Sequence, residues 1–266
     1  MKRRLGQREA QFLAYLQLRR KRAVRTEEAA EALGLSREQA RELLSRLSRS
    51  RLVARVRPGL YLAPARLPLG GAWTPDEIMA LNALMRDRGA RYQICGPNAF
   101  NRYGLVDQVP ARIYAYNDRI SGRRTIGSVE LTLIRVAPAR LGATESARTA
   151  EGETAVYSSR ARTLIDAVYD WSRFDSLPRA YGWIRDELDA GRVDVASLIR
   201  LALRYGDVGT IRRIGVLLER RGAEEVALRR LERRLAATSS LIPWVPGLPK
   251  RGKADLRWGV VLNGPA

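Results

Sequence analysis

The chain has 266 residues, 45% of them hydrophobic and 29% charged, so it can bury a sizeable core without disulfide or metal staples and is not a disordered polymer. Forty-eight Lys and Arg against twenty-eight Asp and Glu leave a net charge of +20, and because the only lysines are Lys2, Lys21, Lys250 and Lys253, forty-four of the cations are arginine. The absence of His excludes an imidazole base and a His-ligated metal, and the single Cys95 excludes an internal disulfide and a CxxC site.

A GC-rich genome accounts for the ratio of Arg to Lys but not for the net charge. Arg also suits phosphates and guanine edges. No apolar run reaches the length of a membrane span. The basic opening at Lys2, Arg3 and Arg4 leads into Gln7-Arg8-Glu9 rather than an apolar stretch, so no signal peptide is expected. The expected location is cytoplasmic.

Residues 1–64 carry sixteen Lys and Arg against six Asp and Glu, a net of +10. Phe12, Leu13, Tyr15, Leu16 and Leu18 are expected to form the apolar face of a first helix. Thr26 is expected to cap a second helix with Ala29, Ala30 and Leu33 inward, and Gly34 to end it in a left-handed turn. Ser36 then caps a third helix, buried through Ala40, Leu43, Leu44 and Leu47. Arg37, Gln39, Arg41, Ser45, Arg46 and Arg49 lie off that stripe. Strands at 52–57 and 60–63 follow, joined by a turn at Pro58-Gly59.

This order of elements predicts a winged helix-turn-helix. Its third helix would enter a major groove, and Arg55 and Arg57, alternating on one side of the wing strand, would meet phosphate or a minor groove. The residues assigned to DNA contact are Ser36, Arg37, Gln39, Arg41, Ser45, Arg46, Arg55 and Arg57. The alternative use of such a fold is protein docking, and the +10 charge favours DNA.

The Pro- and Gly-rich stretch 65–71 reads as a linker, so the expected fold class is α+β in two domains, with a larger mixed α/β domain over 72–266. Each is expected to fold alone. In that domain Thr74 and Pro75 are expected to open a helix. Residues 92–95, 112–116, 129–136 and 155–157 read as strands, with a loop at 121–124. Ser158 or Ser159 caps a helix carrying Ala161, Leu164, Ile165 and Val168, and more helices follow at 178–190, 194–204, 209–221 and 224–236. A strand at 257–262 is expected to return to the sheet.

No strong catalytic constellation emerges. Asp166 and Asp170 have the spacing for a carboxylate pair, but Arg162 four residues earlier favours an ion pair. Asp186-Glu187 reads as a solvated face, and Cys95 as a small buried filler. There is no GxxxxGK[ST] or GxGxxG phosphate loop. No catalytic residue, metal ligand or cofactor is assigned, and the chain is not expected to be an enzyme. Paired arginines over 211–236 (Arg212, Arg213, Arg220, Arg221, Arg229, Arg230, Arg233 and Arg234) suggest a basic helical face for nucleic acid or an acidic protein.

Five segments in order resemble the AbiEi-type antitoxins of bacterial type IV toxin–antitoxin systems. They are Arg57-Pro58-Gly59-Leu60-Tyr61-Leu62; Tyr92 to Leu105 with Gln108-Val109-Pro110; Ser158 to Asp166; Arg213 to Glu219; and Arg257 to Asn263. The resemblance implies a winged helix that represses its own operon by binding inverted repeats in promoter DNA, where two copies can pair cooperatively. It also implies a C-terminal domain that opposes a nucleotidyltransferase-type toxin in abortive infection and phage defence. No toxin-contact residue transfers from it, and no membrane partner is implied. The alternative is a winged-helix regulator whose C-terminal domain senses a small molecule; an enzyme with a DNA-targeting domain is a third reading.

Overall fold

A computed structural model describes residues 5–66, 72–236 and 240–264, so most of the expected linker lies outside the described residues. The chain begins with α1 (Gln7–Leu18), β1 (Ala23–Arg25), α2 (Thr26–Leu33), α3 (Arg37–Arg49), β2 (Ala54–Arg57) and β3 (Leu60–Leu62). Phe12, Leu13 and Leu16 of α1 pack with Ala29, Ala40, Leu43, Leu44 and Leu47 in one apolar cluster. Each large aliphatic or aromatic side chain buried there contributes about 1.5–3 kcal/mol. Leu18, expected on the same face, is 83% exposed because it lies at the helix end, beyond the stripe.

Gly34 ends α2 at φ +59°, the left-handed turn that a tight helix corner requires. Thr26 does not cap α2: Arg25 holds the capping position without a side-chain bond, and Thr26 is buried as the first helical residue. The hairpin has a third strand that is too short for sequence periodicity to reveal. β1 pairs antiparallel with β3, giving the order β1-β3-β2. Helix, helix, helix and wing make this module a winged helix.

The chain continues through α4 (Glu77–Arg88), β4 (Tyr92–Ile94), α5 (Pro97–Arg102), β5 (Ile113–Asn117), β6 (Gly122–Ile126), β7 (Val129–Arg135), β8 (Thr144–Arg148) and β9 (Thr154–Ser158). Asp76, not Thr74, caps α4, accepting from the N–H groups of Ile78 and Met79. The stretch expected as a loop at 121–124 begins a strand, since β6 pairs antiparallel with β7 along its length. β5 runs parallel to β7.

By its contacts the chain forms two compact units that do not follow sequence order. The first takes in Met1–Tyr92, Ala111–Val136 and Ala147–Ala155, so the winged helix shares a unit with α4 and the β6-β7-β5 strands. The second comprises Gln93–Pro110, Ala137–Ser146 and Val156–Ala266.

The second unit holds most of the remaining helices: α6 (Arg160–Tyr169), α7 (Trp171–Phe174), α8 (Arg179–Asp189), α9 (Val195–Tyr205), α10 (Val208–Arg220) and α11 (Glu225–Glu232). Ser159 caps α6. Three short strands follow, β10 (Ile242–Pro243), β11 (Lys253–Asp255) and β12 (Val260–Leu262). They form their own sheet, with β12 central, parallel to β10 and antiparallel to β11, so the closing strand does not join the larger strands. Trp258, just before β12, covers Gly215 of α10, where any Cβ would run into the indole. The Trp258 Nε1–H donates to Glu219 at 2.7 Å, and Arg257 reaches the same carboxylate at 2.6 Å.

Candidate nucleic-acid interface

Arg37, Gln39, Arg41 and Arg46 are exposed on α3, and Ser45 is half-buried on it. The opposite face of the helix is fixed by its four buried apolar residues. Ser36 Oγ accepts from the Gln39 N–H at 3.2 Å, and Gln39 Oε1 accepts from the Ser36 N–H at 3.0 Å. This reciprocal capping box satisfies two otherwise orphaned donors at the helix start. Ser36 and Gln39, assigned from sequence to DNA, therefore also have a structural task, although the Gln39 side-chain NH2 group is not used by the capping box.

Arg37 pairs with Glu27 at 2.8 Å, both residues exposed. Such a surface pair is worth only about 0–1 kcal/mol, so a phosphate can displace the carboxylate. Arg46 lies 3.8 Å from the Glu9 carboxylate, a loose contact. Among the described residues, the Arg41 guanidinium has no hydrogen-bond or ion-pair partner. Arg41, Glu42, Ser45, Arg46 and Arg49 line a shallow hollow of about 320 Å³ along this face.

On the wing, Arg55 is exposed and faces Tyr61 across the ladder. The register then slips between Arg55 and Arg57, a bulge that breaks the alternation expected to put both arginines on one side. Arg57 instead clamps Asp87 of α4 with two bonds of 2.6 Å, from Nε and Nη2. Asp87 is nearly buried, and Arg25 approaches it at 3.5 Å. The Arg57 guanidinium holds the Asp87 carboxyl below its ordinary range, and Asp87 raises the pKa of Arg57 in return. Arg57 is thus occupied within the protein, unlike Arg55.

Arg49 and Arg51 are not among the residues that the sequence assigns to DNA contact. Both are exposed, and Arg49 lies off the buried stripe, which is the signal that could have included it. Arg51 escapes notice because its position follows from leaving α3 at φ +57°.

In the second unit the ion pair expected between Arg162 and Asp166 is present, whereas the expectations for Glu187, Arg212 and Arg213 are not met. Asp166 is buried against Arg162 (2.9 Å) and Arg140 (2.9 Å), an internal ion-pair cluster rather than an open carboxylate pair. Ser158 Oγ accepts from Gln93 at 2.7 Å beside it. The Tyr103 hydroxyl donates to the Ser158 carbonyl at 2.8 Å, and burial pushes its pKa up to about 12. Glu187 is not solvated: it is buried between Arg160 and Arg192, whose hydrogen bonds overcome burial and hold its pKa low.

Arg212 and Arg213 are also buried, donating to the carbonyls of Ser240 and Pro243, so they leave the expected basic face. Arg221 pairs with Asp189, and Arg229 with Glu225. Among the described residues no group of three or more His, Cys, Asp or Glu is placed to hold a metal. No helix among them is long and apolar enough to cross a membrane.

An exposed, arginine-bearing helix face beside a three-stranded wing defines a winged-helix module. Residues 11–64 match the family described as "Transcriptional regulator, AbiEi antitoxin". A comparison with curated proteins gives no match. The fold as a whole is similar to that of the RV2827C protein from Mycobacterium tuberculosis, a crystal structure matched with a TM-score of 0.63. The match covers 97% of this chain and 92% of the other at 16% identity, so the likeness is one of fold.

Proposed function

We propose that the chain is an antitoxin and autorepressor of a type IV toxin–antitoxin operon. Residues 1–64 are the DNA-contacting part, and α3 enters the major groove of inverted repeats in its own promoter. Arg37, Gln39, Arg41, Ser45 and Arg46 face the bases and flanking phosphates, Arg55 reaches the backbone from the wing, and Ser36 sets the helix start. The observation that carries this reading is the exposed basic face of α3, with Arg41 unpartnered among the described residues and Arg37 held only by a surface pair. Arg57 has a different part, fixing the wing to α4 through Asp87.

Residues 72–266 oppose a nucleotidyltransferase-type toxin encoded beside this gene, in the cytoplasm, and supply no catalysis of their own. The family match over 11–64 supports the regulatory half of this reading. The test is co-expression of the full chain with the adjacent gene, scored for growth, beside a reporter driven by the operon's promoter. Rescue of growth and a silent reporter are the expected results. A silent reporter without rescue would leave a plain regulator.

A further inference from the structure

We propose that a second phosphate-binding site, built jointly by the winged helix and the β6–β7 hairpin, grips the DNA backbone beside the groove that α3 enters. The proposal rests on the DNA-binding reading and extends its footprint past residue 64. All its parts lie in the first compact unit.

The site is a hollow of about 450 Å³. Arg49 from the end of α3, Arg51 just beyond it and Arg55 from β2 line it, together with Thr74, Thr125 and Ser128. No Asp or Glu lines it. Among the described residues, none of the three guanidiniums has a hydrogen-bond or ion-pair partner, whereas Arg57, one bulge away, is fully engaged. Three unpaired cations around one cavity repel each other, and an anion relieves that repulsion. The C-terminal end of α3 adds a partial negative charge of only about half a unit, which three full positive charges outweigh.

The fold fixes this arrangement. The Trp73 N–H donates to the Arg51 carbonyl at 2.7 Å, fastening the segment after the wing to the end of α3. Gly127, at φ +64°, turns the hairpin so closely that a Cβ there would stand 3.0 Å from Pro75 and 3.4 Å from Ala54 of β2. The Ser128 hydroxyl donates to Thr74 Oγ1 at 3.3 Å, placing two hydroxyls at the rim. Guanidiniums with hydroxyls and no acids suit a phosphodiester oxygen pair. Arg49 shares its helix with the proposed base-reading residues, which favours a backbone phosphate of the same duplex over a free anion.

The test measures the affinity of the full chain for a random-sequence duplex of about 30 base pairs across a salt series, with inorganic phosphate titrated separately. Arg49→Ala with Arg51→Ala should flatten the slope of log K against log salt by about 0.9 for each phosphate no longer neutralised, whereas Arg49→Lys with Arg51→Lys should keep most of it. Thr125→Val with Ser128→Ala should weaken binding a few fold while leaving the slope nearly unchanged. Melting curves check that each variant folds. An alanine variant that binds with the wild-type slope overturns this site while leaving the winged-helix reading intact. Saturable phosphate binding that the alanine variant loses, with its DNA slope unchanged, assigns the hollow to a free anion and also overturns the proposal. A wild-type chain with no salt-dependent affinity for duplex overturns both readings.

Discussion

Arg57 of the wing and Asp87 of α4, thirty positions apart, meet in a two-pronged ion pair with both bonds at 2.6 Å. The wing of this winged helix is therefore tied to an element outside the segment that matches the regulator family. The pair engages Arg57, whereas its wing neighbour Arg55 has no side-chain hydrogen-bond or ion-pair partner among the described residues.

Asp87→Asn should release Arg57. Binding to duplex of any sequence should strengthen, and its salt slope should steepen by about 0.9 if the freed guanidinium takes one phosphate. Stability should fall by about 1–2 kcal/mol, the scale of a partly buried, charge-assisted contact. Because the folded-state pKa of Asp87 is depressed, that stabilisation is present above the unfolded carboxyl pKa of about 3.9 and is lost as pH falls through the lower folded value. Denaturation of wild type and variant should differ at pH 5–7 and converge only in stronger acid. Convergence already at pH 5 would show that Arg57 does not lower the pKa of Asp87.

Gln39 combines a capping bond with a proposed role in base reading, and two substitutions separate them. Gln39→Glu keeps the acceptor that the capping box needs and adds a negative charge at a helix N-terminus, so thermal stability should hold. Operator affinity should nonetheless fall at least tenfold, about 1.4 kcal/mol or more, with a smaller loss on random DNA. Ser36→Ala should do the reverse, costing about 1 kcal/mol of stability with a modest effect on specificity. Wild-type operator binding by Gln39→Glu would remove Gln39 from the readout set.

Asp166 and Arg162 illustrate the asymmetry of buried ion pairs. Asp166→Asn leaves Arg162, at 0% exposure, without its full countercharge and should cost about 3–5 kcal/mol in a denaturant titration. Replacing both, as Arg162→Met with Asp166→Leu, should cost less than the single change. A harmless Asp166→Asn would contradict the structural role of this pair and reopen Asp166 as a functional carboxylate.

The elements legible in the sequence are those whose signals are local. Gly34 and Ser36 mark the corner between α2 and α3 through backbone conformation and capping, and Ala40, Leu43, Leu44 and Leu47 mark the buried face through helical spacing. What stays hidden depends on distant partners. The three residues of β1 mean nothing until β3 lies beside them. Arg212, Arg213 and Glu187 look solvated until Ser240, Pro243, Arg160 and Arg192 close around them. The charged residues of α3 are readable as a face, but the hydroxyls of Thr74, Thr125 and Ser128 join Arg49 and Arg51 only through tertiary packing.

Above all, α3 is proposed to read promoter DNA. The most direct measurement compares binding of the full chain to its own promoter fragment and to a scrambled fragment of equal length and composition, at one physiological salt concentration. A preference of about a thousandfold or more for the promoter is expected. That preference should collapse in Gln39→Glu with Arg41→Ala, while affinity for scrambled DNA weakens far less. Equal affinity of the wild-type chain for both fragments would contradict the claim.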